Sequence, residues 1–180
     1  MLKSIFDRNN NAAISQELYG TVVAQARLPV FFTGFGFPDT VMGRFDVLTL
    51  HVFLLCHRLG LEGQAKADNL SQEVFDRFVD NLDVALRQLG IGDSSVPKKK
   101  KKMIRSFYGQ IEDFNQPLKS RDEGLLCEAI NKRFYENDDL APSQKLAEYF
   151  MATSDRLIET KIKAYYRGKF SWLDLSGNET

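Results

Sequence analysis

Apolar residues recur at three- and four-residue intervals along almost the whole chain, which is the period of a helix with one buried face. Ile14, Leu18, Tyr19, Val22, Val23 and Ala26 form the first such stripe. Residues 28–43 break the pattern with Pro29, Gly34, Gly36, Pro38 and Gly43, and they carry Phe31, Phe32, Phe35 and Phe37. Phe45 to Leu59 is apolar on most sides, which predicts a central helix. Residues 60–69 read as a loop. Val74, Phe75, Phe78, Val79, Leu82, Leu86 and Leu89 predict a strongly amphipathic helix, with Ser71 as N-cap and Gly90 as its stop. Pro97 opens another helix, striped by Met103, Ile104, Phe107, Tyr108, Ile111 and Phe114, with Phe107 and Tyr108 expected in the core. Leu125, Leu126, Ala129, Ile130 and Phe134 predict a shorter helix. Pro142 opens a last long one through Leu146, Phe150, Leu157, Ile158, Ile162 and Tyr165. No run alternates with period two for long enough to predict a strand. The pattern therefore predicts an all-α, single-domain bundle of about six helices around a central apolar helix. Val47, Leu50, Leu54 and Leu55 should be buried. The domain is expected over residues 13–175, between a mobile arm (1–12) and a flexible tail (176–180).

Charge sharpens this picture. The chain has 180 residues, 43% of them hydrophobic, and zero formal net charge, so it is not a general magnet for nucleic acid. The charge is nevertheless segregated. Asp68, Glu73, Asp76, Asp80, Asp83 and Asp93 face only Arg77 and Arg87 within residues 68–93, and Lys98, Lys99, Lys100, Lys101, Lys102 and Arg105 follow. Lysines do not suit a first helical turn, where the helix dipole is positive. Five successive residues also sweep about 400° around a helix, so they cannot share one outer face. The simple reading is a solvated, protruding helix end. The functional reading is an electrostatic contact with anionic lipid, ribosomal RNA or an acidic protein. Asp76, Asp80 and Asp83, with Asp93, are the matching candidates for contact with a basic partner. Asp93 is otherwise expected to fix the bend from Gly92 to Pro97.

The phenylalanines are the candidate apolar site. Phe31, Phe32, Phe35 and Phe37 are more aromatic than a surface loop requires, and two glycines separate them. They read either as a loop folded over the core or as an apolar wall that receives a hydrophobic client. The second reading expects at least two of the rings to be partly exposed.

Catalytic chemistry is sparse. His51 and His57 are the only histidines. Six residues apart on a helix, they differ by about 240° and share no face, so they predict no zinc site. His51 reads as a histidine satisfied within the core. Gly34-Phe35-Gly36 and Gly90-Ile91-Gly92 do not continue into a phosphate-binding fingerprint. Cys56 and Cys127 read as small buried residues and suit a reducing compartment. No catalytic residue, cofactor or metal is expected, and the protein is expected not to be an enzyme. The N-terminus has no secretory signal pattern and lacks the arginines and serines of a transit peptide. Val47 to Cys56 is too short an apolar run to cross a membrane, which takes about twenty residues.

Two blocks carry a resemblance. Phe75-Asp76-Arg77-Phe78-Val79-Asp80-Asn81-Leu82-Asp83, continuing through Gly90-Ile91-Gly92-Asp93, Val96-Pro97-Lys98 and Phe107-Tyr108-Gly109, resembles the ubiquinol–cytochrome c chaperone family. Asp46-Val47-Leu48-Thr49-Leu50-His51-Val52-Phe53-Leu54-Leu55 is similar to that family's other well-marked block. The resemblance covers residues 18–118 and implies an all-helical, non-enzymatic assembly chaperone for the respiratory cytochrome bc complex. It implies cytochrome b, or another subunit of that complex, as client. The ribosome, an anionic membrane surface and a small assembly-factor subunit are implied as further partners. It also implies a location in the cytoplasm, peripheral to the inner membrane, or on the matrix side in a eukaryote; the N-terminus suits a bacterial member. Ser94 and Gln110 depart from the family pattern, which has leucine and arginine there. If that arginine anchors a partner, the contact is expected to be weaker here. The unbroken lysine run is also heavier than the family's mixed basic stretch. Two other functions stay open on the residues alone: a ribosome- or nucleic-acid-binding module using the lysines, and a carrier of a lipophilic ligand.

Overall fold

The computed structural model describes residues 2–136 and 138–175, with side chains from residue 11 onward. The expected tail, 176–180, lies outside the described residues. Among the described residues there is no strand, and the elements are helices throughout. In chain order they are α1 (Leu2–Ala26), α2 (Val30–Thr33), α3 (Val41–Gly60), α4 (Ala65–Gln88), α5 (Val96–Ser120), α6 (Glu123–Ile130), α7 (Ala141–Glu159) and α8 (Ile162–Tyr165). A single wide, π-helical turn over Asn131–Tyr135 extends α6. The backbone of the expected N-terminal arm belongs to α1 from Leu2 onward.

Helix α3 is the hub, and α1, α4, α5 and α7 all pack against it. Its sequence explains why. Val47, Leu50, Leu54 and Leu55 are 0–1% exposed, and apolar residues occupy nearly every face of the helix. The surrounding helices each bury one stripe, as their 3.6-residue spacing requires. Leu18 and Val22 do so on α1, Val74 and Phe78 on α4, Phe107 and Phe114 on α5, and Leu146 and Phe150 on α7.

Polar clamps fix how the helices meet. Arg77 of α4 donates to Ser15 Oγ (2.9 Å), Gln16 Oε1 (2.8 Å) and the Ala12 carbonyl (2.6 Å) of α1. Buried Arg58 of α3 donates to the Leu157 carbonyl (3.0 Å) and the Thr160 carbonyl (3.2 Å), which end α7, and pairs with Glu62 at 2.8 Å. Those carbonyls have no partner within their own helix, so the guanidinium satisfies them.

Several expected boundaries move. Helix α4 starts at Ala65, within the residues expected to be a loop, and Ser71 lies inside it rather than capping it. Ala65, Lys66 and Ala67 are good helix formers, so the polar stretch is a solvated first turn. Gly90, at φ +75°, stands just past the end of α4, where a left-handed residue closes a helix. The last apolar stripe is split: α7 ends at Glu159, and Ile158 is half exposed. Beyond α8 the chain runs back over α1, where Trp172 Nε1 donates to the Thr21 carbonyl (3.1 Å).

Candidate functional site

The phenylalanine segment is core. Phe31, Phe35 and Phe37 are 0–3% exposed, and only Phe32 is half-buried. The expectation that at least two rings stand open is therefore corrected. Short helix α2 turns the segment inward, and distant residues close over it. Phe31 packs edge-on against His51 and Tyr149, with ring centroids 4.9 and 5.4 Å apart. Phe35 lies 5.4 Å from Tyr149, and Phe37 lies 5.3 Å from Phe134. Tyr135 Oη donates to the Phe35 carbonyl (2.6 Å), and Lys145 Nζ donates to the Gly34 carbonyl (2.9 Å). Phe32 lies under the Arg44 guanidinium, 5.1 Å from its ring centre. These four residues form no exposed client wall.

His51 is buried and fully partnered, as expected. Its Nδ1 lies 2.7 Å from the Val47 carbonyl, which can only accept, so Nδ1 carries the proton. Nε2 then accepts from Tyr149 Oη at 2.7 Å, and Gln25 Nε2 donates to the same hydroxyl at 3.3 Å. Burial pushes the His51 pKa down to about 4, so the ring is neutral at physiological pH. The two histidines do not meet. His57 Nδ1 bonds Asn115 Oδ1 at 3.0 Å. No group of three or more His, Cys, Asp or Glu among the described residues could hold a metal. Cys127 is buried and Cys56 half-buried, and burial raises the Cys56 thiol to about 11.

The basic run divides three ways. Lys100 turns back to Asp83 of α4, at 3.7 Å. Lys99 and Lys102 project beside α4, on the same side as Met103 and Ser106. Lys98, Lys101 and Arg105 are exposed on the adjoining face. The acidic candidates divide too. Arg87 bonds both Asp83 (2.9 Å) and Asp93, which latches the end of α4 across the turn to α5. The hydrogen bond from Arg87 holds the Asp83 carboxyl below the usual carboxylate range. Asp93 thus reaches back to a side chain of α4 rather than to the backbone of its own turn. Asp76 accepts from Gln72 Nε2 (2.8 Å), and Asp76 and Asp80 face outward.

Two readings around α5 also change. Tyr108 is half exposed, against expectation, because its ring lies over Phe75 (5.8 Å) at the edge of the α4–α5 contact. Gln110 is fully buried and donates to Thr49 Oγ1 of α3 at 2.7 Å. Position 110 therefore faces the core and anchors no outside partner. Arg133, which sequence reasoning missed, supplies a cation nearby. It bonds Asp113 (2.8 Å) and Ser106 of α5 and lies against Gly109, where a side chain would crowd it.

The surface that remains is a groove of about 940 Å3 between α1, α3, α4 and the start of α5. Tyr19 and Val23 of α1 and Phe45 and Leu48 of α3 form its floor. Leu82, Ala85 and Leu86 of α4 and Met103 of α5 form its walls. Val41, Met42, Val84 and Leu89 stand at its edge, each 50–55% exposed. Its charged members are Arg27, Arg44, Lys99 and Lys102, with no carboxylate among them. Arg44 is paired with Asp39 at 2.7 Å. Sequence reasoning assigned the apolar client surface to Phe31, Phe32, Phe35 and Phe37, none of which lines this groove; the phenylalanine that does is Phe45 of α3. The signal that locates it is Val84, an apolar residue away from the buried stripe of α4, together with Leu89, which continues that stripe past the end of the helix and is left half exposed.

Apart from Tyr19, Val23, Ala26 and Arg27, the lining of the groove falls within the stretch that matches a known family. Residues 33–172 match the family model described as ubiquinol-cytochrome C chaperone. The chain belongs to that family. It is 25% identical over 168 residues to ubiquinol-cytochrome c reductase complex assembly factor 1 of Drosophila melanogaster, over 89% of this chain. The chain spans 64% of the length of that relative. It also resembles the crystal structure of the Cbp3 homolog from Brucella abortus, at TM-score 0.84 and 34% identity over 97% of both chains. This member of the ubiquinol–cytochrome c chaperone family is all-helical, and no helix among its described residues is long and apolar enough to cross a membrane.

Proposed function

We propose that this chain assists assembly of the ubiquinol–cytochrome c reductase, and that it does so by holding cytochrome b before that subunit joins the complex. Family membership supports the first part, and the open apolar groove is the observation that supports the second. The groove wall from Asn81 to Leu89 is about 12 Å long, roughly two helical turns. An apolar stripe on a client helix would place its i, i+3 or i+4 and i+7 side chains there. An unassembled membrane subunit exposes such stripes where its neighbours will later pack. Covering one delays aggregation, and subunit docking then displaces the chaperone. The protein works by binding, with no covalent step and no cofactor. Asp76 and Asp80 are the part of the acidic ridge left for a basic partner, such as a small assembly-factor subunit.

Photo-crosslinking tests this reading. A probe replacing Leu89 at the edge of the groove should capture cytochrome b in cells. One replacing Glu148, exposed on α7 and outside the groove, should not. Capture at neither position, or equally at both, would remove the groove from the mechanism.

A further inference from the structure

The groove carries charge of one sign. Arg27 of α1, Arg44 of α3 and Lys99 and Lys102 of α5 line it, with no carboxylate among them. Arg44 is already held by Asp39. Arg27, Lys99 and Lys102 are exposed and make no ion pair or side-chain hydrogen bond among the described residues. Asp83 and Asp93, toward the end of α4, are engaged by Arg87. Asn81, Gln88 and Ser106 add only neutral polar groups to the lining. Lys99 also stands in the first turn of α5, where the helix dipole disfavours a cation. Three unpaired cations thus border an apolar floor, and the fold does not neutralise them.

An apolar stripe alone would enter this groove whatever lay beside it. Charge next to the stripe is what the cations can read. Helices that cross membranes commonly carry Lys and Arg at their cytoplasmic ends. Such a flank laid against Arg27, Lys99 and Lys102 would meet charge of its own sign, which is costly where water is partly excluded. Asp or Glu in the same place would pair with cations that have no partner within the fold. We infer that the groove selects, among apolar helices, one that bears Asp or Glu beside its apolar stripe, with Lys99 and Lys102 pairing from α5 and Arg27 from α1. The aliphatic floor and rim supply affinity, and the three cations supply the choice of partner. This rests on the groove being the client site, and it adds which segments of a client that site admits.

Two soluble helical peptides test it against the full chain. Both carry the same leucine stripe, and one places two glutamates beside it where the other places two lysines. The glutamate peptide should bind about tenfold more tightly at about 0.15 M salt, and the gap should narrow as salt rises. Lys99→Glu with Lys102→Glu should reverse the preference while the thermal midpoint holds, because acidic residues suit the start of a helix. The same change at Lys132 and Lys161, exposed and outside the groove, should leave the preference as it was. Val84→Ser with Leu89→Ser should weaken both peptides alike. Equal affinity for the two peptides, or a preference that the two lysine pairs shift equally, would overturn the selection. If Val84→Ser with Leu89→Ser still weakens both, the groove stands as a client site without it. Binding of neither peptide would also overturn the selection, and a dimer in sedimentation would then make a second copy of the chain the occupant. The Leu89 crosslink in cells reads the client site itself, so the two failures are told apart.

Discussion

Buried and half-buried titratable groups on α3 set opposite pH trends. His51 has its folded pKa depressed from 6.5 to about 4 by burial. Its neutral form is favoured, and stability is fully present above pH 6.5. As pH falls from 6.5 toward 4, the unfolded chain gains the proton first and that stability is lost. Asp46 behaves in the reverse way. Burial raises its pKa from 3.8 to about 6, and the charge on Arg133 offsets only part of that. Its protonated form favours folding below pH 3.8, and the contribution is lost as pH rises through 6. Asp46→Asn should therefore match the parent near pH 4 and exceed it above pH 6.5. A full conversion of the shift would be about 3 kcal/mol. Water still reaches the carboxylate, so about 1 kcal/mol, or roughly 2–4 °C in Tm, is the expected gain. The histidine contributions cancel in the difference between the two proteins. Melts at pH 4.5 and 7.5 that differ by the same amount would refute the Asp46 assignment. At this scale the sequence was partly legible. A histidine inside an apolar run could be read as satisfied. Its partner, Tyr149, lies 98 positions away, and no local pattern points to it. A still longer separation hid the fate of Phe31 and Phe35, whose covering ring is also Tyr149.

Helix α3 can begin where it does because Gly43 lacks a side chain. A Cβ there would lie 2.0 Å from the Pro38 carbonyl oxygen, a backbone atom that cannot swing away. The Gly43 amide also donates to the Thr40 N-cap (3.2 Å). One close approach thus joins the first turn of α3 to the segment that brings Phe31, Phe35 and Phe37 into the core. Gly43→Ala should cost about 3 kcal/mol, the upper range for overpacking, and should loosen that segment enough to bind an apolar dye. Gly60, the last residue of α3, has nothing within 4 Å of a built Cβ. Gly60→Ala should be neutral or stabilise by about 0.5 kcal/mol. Urea denaturation compares the two directly, and similar midpoints would refute the contact argument. Element identity was legible because every long helix buries a stripe. Element ends were less so. Gly43 looked like part of a glycine- and proline-rich break, yet it belongs to α3. The polar start of α4 buries little beyond Ala67, so periodicity had almost nothing to register before Leu70.

The molecule closes through its C-terminal segment. The indole of Trp172 packs edge-on against His51 (5.1 Å) and Phe170 (5.1 Å), and its N–H bonds the backbone of α1. Leu175 is buried with the main core. This strap ties the end of the described chain to the first helix and to the hub. None of it was legible as a seal, since the aromatic cluster around residue 170 lies beyond the last recognisable stripe. The groove sits at another part of the surface, lined by α1, α3, α4 and α5, and its edge residues contribute little to the core. A scaffold closed on itself, with an interaction surface at its margin, should unfold as one unit. Trp172 is the sole tryptophan, so its fluorescence reports the strap while far-UV circular dichroism reports the helices. The two thermal transitions should coincide within about 1 °C for a two-state domain. They should still coincide in a Val84→Ser, Leu89→Ser variant, with Tm within about 2 °C of the parent, because half-exposed side chains contribute only modestly to stability. A fluorescence transition that precedes loss of helix would show the strap to be a separate, weaker unit. A large fall in Tm for the groove variant would show its rim to be part of the scaffold, and a surface so committed would be a poor place to receive a client.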